Sequence, residues 1–225
     1  MEYKLEKLFP VPLGIFQLDD KDCLKHLFSN LTDNIYSSDL SEYENYAKRE
    51  EVTTDHDAYQ IKISTKGNEA FWSNEWWNIS ARYDLLSSIL KISDTYRKIC
   101  YTHIYEIEKP IAENFVKDFW MVELKENNYN SIHVHPNATF SGIYYQSLPN
   151  AIKNNKTSQQ NGNVYFVNDM VKGVLNDSFG GSQIYQVTPN EGLLLIFPSW
   201  LSHYVVPFKG PGKRISYAFN IISTY

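Results

Sequence analysis

Residues 131–146 read SIHVHPNATFSGIYYQ, two short runs of alternating side chains separated by a Pro-Asn turn signal. Alternation with a period of two is the signature of strands that bury one face. The same texture continues on both sides. Upstream, FWMVELKEN (119–127) alternates Trp120, Val122 and Leu124. Downstream, NVYFVND (163–169), QIYQVTP (183–189), GLLLIFP (192–198), HYVVPF (203–208) and KRISYAFNII (213–222) follow as short runs punctuated by Gly, Pro and Asn. Residues 147–163 and 168–182 are polar and loop-like, long enough to cover a site. From about residue 115 onward this spacing predicts an all-β sandwich or barrel.

The first half reads differently. Residues 8–18 (LFPVPLGIFQL) are extended, and Pro10 and Pro12 suit an edge strand. From Asp20, Leu24, Leu27, Phe28, Leu31 and Ile35 form one helical stripe, and over 80–100 so do Leu85, Ile89, Ile92, Tyr96 and Ile99. The stretch FWSNEWWNIS (71–80) takes no clear assignment. The expectation is mainly β, with α-helices from the N-terminal half flanking the barrel. It is one domain over 1–225, with an edge strand and supporting helices in 1–114 and the barrel core in 115–225.

Composition agrees. The 225 residues are 43% hydrophobic and 15% aromatic, with 17 Tyr, 12 Phe and 5 Trp, which implies a packed core rather than a disordered chain. A net charge of -5 disfavours general binding to nucleic-acid backbones. The longest aliphatic run, Leu193 to Phe197, is far too short to span a membrane as a helix. The N-terminus carries charges and prolines where a secretion signal would be apolar, and Cys23 and Cys100 form no CxxC pair. A soluble cytoplasmic protein with free thiols is expected. The five Asn-x-Ser/Thr sequons then carry no glycosylation signal.

Six histidines occur: His26, His56, His103, His133, His135 and His203. On a strand, His133 and His135 project to one face while Ile132 and Val134 point away, giving two points of a metal clamp. Two hydrogen-bonded structural histidines would read the same way. In KRISYAFN, Arg214, Ser216, Ala218 and Asn220 share one face, and Ile215, Tyr217, Phe219 and Ile221 share the other. An arginine beside a serine on an inward face is a receptor for a carboxylate, because the planar guanidinium matches its two oxygens. An arginine paired with a surface acid is the alternative.

The whole order, His-x-His, a long gap, His203, then Arg-x-Ser, resembles the iron(II)/2-oxoglutarate oxygenases. More specifically, HVHPNATFSGIYYQ, EGLLLIFPSWLSHYVVPF and KRISYAFN resemble the 2OG-Fe(II) oxygenases common in marine bacteria and their phages, and LFPVPLGIF resembles that family's opening. The resemblance covers roughly 115–222 and implies a double-stranded β-helix (jelly roll, cupin-like). It implies that His133, His135 and His203 hold Fe(II), and that Arg214, Ser216 and Tyr145 hold the far carboxylate of 2-oxoglutarate. His135 stands where the broader superfamily has a carboxylate, so three neutral imidazoles leave the full +2 charge on the metal. Glu123, on the preceding strand, is a carboxylate that could come from elsewhere.

The implied activity is a dioxygenase that takes 2-oxoglutarate, dioxygen and an unidentified primary substrate and releases succinate and carbon dioxide. Side chains around Trp200 and Tyr145 would line its pocket. Two other readings are a three-histidine cupin-like dioxygenase or isomerase without 2-oxoglutarate, and a non-enzymatic jelly-roll binding or structural protein.

Overall fold

A computed structural model describes residues 11–19, 23–37, 59–62, 79–105, 113–154, 161–168 and 184–224. His56, the stretch 71–80 apart from its last two residues, residues 155–160 of the first polar loop and 169–182 of the second lie outside the described residues. The strands are β1 (Gly14–Gln17), β2 (Tyr59–Lys62), β3 (Glu113–Leu124), β4 (Asn130–His133), β5 (Phe140–Ser147), β6 (Val164–Val167), β7 (Ile184–Val187), β8 (Leu193–Pro198), β9 (Ser202–Val205) and β10 (Arg214–Thr224). The helices are α1 (Cys23–Ser37), α2 (Ile79–Ile99), which runs on into a π-helical turn at Cys100–Tyr105, and α3 (Asn150–Asn154).

Among the described residues the strands form a six-stranded sheet, in the order β1-β8-β5-β10-β3-β2, and a four-stranded sheet, β4-β9-β6-β7. Every pairing is antiparallel. The eight strands β3 to β10 divide between two four-stranded layers, alternating except at the β6–β7 hairpin, the arrangement of a jelly roll. β1 and β2 extend the larger sheet at its two edges, and the proline-flanked N-terminal segment is the edge strand its sequence predicts.

The alternation seen in the sequence sorts the side chains into two cores. The inner one, between the sheets, contains Val122, Leu124, Ile143, Tyr145, Leu195 and Phe197 of the larger sheet with Val164, Phe166 and Val205 of the smaller. The outer one lies under the helices: Leu24, Phe28 and Leu31 of α1 and Leu85, Ile89 and Tyr96 of α2 pack on Phe119, Met121, Tyr144, Tyr217 and Phe219. Phe28 stacks on Tyr144 with ring centroids 4.1 Å apart, and Thr32 Oγ1 lies 2.9 Å from the Tyr217 hydroxyl. The stripe of α2 departs from expectation at its end. Ile99 is exposed and Cys100, four residues after Tyr96 on the face of Ile89 and Ser93, is buried instead.

Two irregularities bracket the inner face of the larger sheet. The β3–β10 register runs Asn220↔Asp118 and then Ile221↔Val116, so Lys117 is an extra, bulged residue. The β10–β5 register runs Ser216↔Tyr145 and then Ile215↔Ser147, which skips Gln146. Bulges re-aim neighbouring side chains and are common beside active sites.

Candidate metal and cosubstrate site

β4 and β9 lie side by side with His133 directly opposite His203. The chain leaves β4 after His133, so His135 sits just past the strand end rather than within it. It is held there because its backbone N–H donates to the Ser199 carbonyl, 2.8 Å away, and Ser199 N–H in turn donates to Thr139 O. Asn137, with φ 62°, turns the chain back toward β5. Asparagine is among the few residues that adopt this left-handed conformation readily. Ile132 and Val134 point outward and are exposed, as alternation predicts.

One nitrogen from each of His133, His135 and His203 lies within 4.8 Å of the others. The ring centroids are 4.3 Å apart for His133–His203, and 5.1 Å for each of the other two pairs. An ion with bonds of about 2.1 Å to imidazole fits among them once the rings close slightly. The orientation suits ligation. His133 Nδ1 lies 2.7 Å from Ser131 O and His203 Nδ1 lies 2.9 Å from Leu201 O. A carbonyl so placed fixes the proton on Nδ1 and leaves the Nε2 lone pair for a metal, an arrangement typical of metal-binding histidines.

Burial keeps these rings neutral. It lowers the pKa of His133; it lowers that of His135 to about 4, helped by the neighbouring His133; and it lowers that of His203 to about 3. Phe166 and Phe197 enclose the His203 ring at 5.9 and 4.8 Å, and Trp120 lies 5.6 Å from His135. Among the described residues no carboxylate joins the three-histidine group. Glu123 does not supply one: it shares parity with Phe119 and Met121 on the helix side of β3, and is paired with Lys213 at 3.0 Å.

On the same inner face, Arg214 is 1% exposed, and its Nε and Nη1 find no hydrogen-bond partner. Its guanidinium carbon lies 5.0 Å from the centre of the Tyr145 ring. Tyr145 is fully buried, and no hydrogen bond of normal geometry reaches its hydroxyl. Burial raises the Tyr145 pKa and the positive charge of Arg214 opposes the rise, so the phenol keeps its proton and can donate. Ser216, buried, pairs in register with Tyr145 on one side and Val122 on the other. Above Arg214 the chain passes close: a Cβ on Gly162 would lie 3.7 Å from Arg214 Cδ, and φ there is +70°.

Buried guanidinium nitrogens and a phenol without well-formed hydrogen bonds cost free energy in the interior unless a ligand completes them. An anionic group with two oxygens fits this donor set. Trp120, beside His135, pairs with Ala218, and Arg214 lies four residues further along β10. At the usual rise per residue that is roughly 13 Å of strand, a gap for a small diacid and the arginine side chain to fill. The small side chain of Ala218 lies between. The sequence thus picked out the three histidines and Arg214 with Ser216 and Tyr145, and the fold gathers each set together. Trp200 is 57% exposed and does not enclose the pocket. Sequence reasoning passed over Asp118, although parity with Trp120, Val122 and Leu124 puts it on the inner face.

A jelly roll with three convergent imidazoles and a buried guanidinium is an arrangement that can hold a metal ion and, beside it, an anion. Residues 118–220 match the family model described as "Putative 2OG-Fe(II) oxygenase". That segment is similar to the 2OG-Fe(II) oxygenases, an enzyme class whose cofactors are iron(II) and 2-oxoglutarate.

Solved structures agree on the fold. A prolyl hydroxylase from Trichoplax adhaerens, in complex with a peptide fragment of the hypoxia inducible factor oxygen degradation domain, is 11% identical. The match covers 93% of this chain and 83% of that one, with a TM-score of 0.53. AviO1 from Streptomyces viridochromogenes is 10% identical, over 93% of this chain and 89% of that one, with a TM-score of 0.52. No curated protein matches the chain. Among the described residues no helix is long and apolar enough to cross a membrane.

Proposed function

We propose that the chain is an iron(II)- and 2-oxoglutarate-dependent dioxygenase that hydroxylates its substrate. In this reading His133, His135 and His203 are the metal ligands, and Arg214, Ser216 and Tyr145 receive the far carboxylate of 2-oxoglutarate. The carrying observation is the buried Arg214 guanidinium, two of whose nitrogens have no hydrogen-bond partner, on the inner face of the larger sheet, together with the three convergent histidines. Iron(II) bound there would supply oxidising power by coupling dioxygen to the decarboxylation of 2-oxoglutarate, with release of succinate and carbon dioxide.

The chain's own groups have defined tasks. The Ser131 and Leu201 carbonyls hold the His133 and His203 tautomers, so both rings offer Nε2 without moving a proton. Arg214 and the protonated Tyr145 fix one end of the diacid, so that its keto-acid end is aimed at the histidines. Phe166, Phe197 and Trp120 keep water away from the rings. Three histidines allow four to six coordination, and so leave room for a bidentate ligand and one more. The whole of 1–225 serves as one oxygenase domain, working in the cytoplasm.

The test is anaerobic calorimetric titration of 2-oxoglutarate into the iron-loaded protein, with succinate release measured in air. Saturable 1:1 binding that depends on metal supports the reading. Metal binding without any 2-oxoglutarate binding overturns it in favour of a three-histidine enzyme that needs no oxo acid.

A further inference from the structure

Outside the proposed ligands, one polar chain leads toward the metal site without an assigned task. Ser141 Oγ donates to Asn220 Oδ1 at 2.8 Å, and Asn220 Nδ2 donates to Asp118 Oδ2 at 3.2 Å. Ser141 and Asn220 are buried, on adjacent strands in direct register, and Asn220 faces Asp118 across the β10–β3 ladder. Asp118 sits beside the Lys117 bulge, two residues before Trp120, whose ring contacts His135. Parity with Trp120 puts the Asp118 carboxylate on the inner face of β3, the face His135 adjoins. Lys117 Nζ lies 3.5 Å from Asp118 Oδ2 and donates to Pro136 O at 3.4 Å, so the pair of opposite charges stands beside the residue that follows His135.

We infer that Asp118 is a positioning residue that supplies, from outside the ligand set, the negative charge that a three-histidine centre lacks. The inference rests on the reading that His133, His135 and His203 hold a divalent metal. Replacing a carboxylate ligand by histidine raises the charge of the centre by one unit, and the ion then has less compensation. A carboxylate held in place by Asn220 and Ser141, at the end of the barrel where Lys117 reaches the carbonyl next to His135, returns part of that charge without occupying a coordination position. The bulge at Lys117 is what lets neighbouring residues of opposite charge both reach this end of the barrel, so their balance tunes the ion's affinity.

The experiment is calorimetric titration of Ni(II), a redox-inert surrogate, into the metal-free full chain. Asp118→Asn is isosteric and can still accept from Asn220. It should weaken Ni(II) binding about tenfold, the scale of losses when an outer partner of a metal site is removed. Lys117→Met should strengthen binding severalfold. In a His135→Asp background, where a ligand carboxylate is restored, Asp118→Asn should cost twofold or less, because the missing charge is no longer missing.

Equal loss in both backgrounds would assign Asp118 a purely structural role and overturn the inference, as would unchanged affinity in the single variant. Lys117→Met leaves the Asp118–Asn220–Ser141 chain in place and carries the test even if Asp118→Asn fails to fold. Unchanged or weaker Ni(II) binding by that variant also overturns it. Wild-type protein that binds no Ni(II) refutes the metal-site reading instead, so the two failures are distinguishable.

Discussion

Replacing Arg214 by methionine should damage ligand binding and help folding at once. The guanidinium is 1% exposed, with two unpartnered nitrogens and no acid beside it among the described residues, so the ligand-free protein bears an uncompensated buried charge. Substituting buried ionic groups by apolar side chains of similar volume often stabilises a protein by about 1–4 kcal/mol. At roughly 2–4 °C per kcal/mol for a chain of this length, the ligand-free Tm should rise by several degrees. With 2-oxoglutarate the sign reverses. Removing one partner of a buried hydrogen-bonded charge pair costs about 3–5 kcal/mol, so affinity should fall roughly 100- to 5,000-fold.

Arg214→Lys keeps the charge without the two-pronged geometry, and should fall between in affinity with no gain in Tm. Differential scanning calorimetry of metal-loaded protein, with and without saturating 2-oxoglutarate, reads both effects in one series. Wild type should be stabilised by the ligand and Arg214→Met should not. A methionine variant with lower ligand-free Tm and normal 2-oxoglutarate affinity would refute the reasoning.

Three further outcomes are expected. His203→Ala should abolish stoichiometric metal binding measured by metal analysis after gel filtration, whereas His103→Ala, at an exposed position of the π-helical turn, should bind normally. In the metal-free protein the folded-state histidine pKa values lie below the unfolded value near 6.5, so the unfolded chain takes up more protons. Stability should therefore fall as pH drops from about 6.5 toward 4, and His135, at about 4, alone accounts for roughly 3 kcal/mol; urea melts at pH 7, 5.5 and 4.5 with a flat midpoint would contradict this. Gly142→Ala should destabilise by about 1–3 kcal/mol, because its Cβ would lie 2.2 Å from Phe219 Cζ, and Phe219→Leu in the same chain should recover part of the loss in chemical denaturation.

Local pattern carried the element types because burial imposes a period, and a period is visible in a single sequence. The α1 stripe and the two faces of β10 follow directly from it. Pairing is different, since it is set by residues far apart in the chain. The opposition of His133 to His203 across β4 and β9 depends on which strand neighbours which. The placement of His135 depends on a hydrogen bond to Ser199, not on strand alternation. Glu123 could be assigned to the helix side only once β3's parity was anchored by Phe119 and Met121. The two partnerless nitrogens of Arg214 were illegible too, because a sequence shows that a cation exists but not where the acids lie. Asp118 needed both the Lys117 bulge and the β10 register to be placed, and neither has a local signal.

β4 is short, lies at the edge of the smaller sheet, and is tied to β9 through Asn130↔Val205 and His133↔His203 with an irregularity between. One of those two ties joins two of the proposed metal ligands. An ion shared by His133 and His203 is therefore also a clasp that closes the barrel wall, and occupancy is coupled to the integrity of that edge. Amides of β4 would then exchange with solvent through local opening in the metal-free chain and become protected on loading. The exposed Ile132 and Val134 make the unclasped edge a template for intermolecular strand addition. Metal starvation would on this account appear as self-association as well as lost activity, and chelator-treated preparations would show it as aggregation that begins well below the melting temperature.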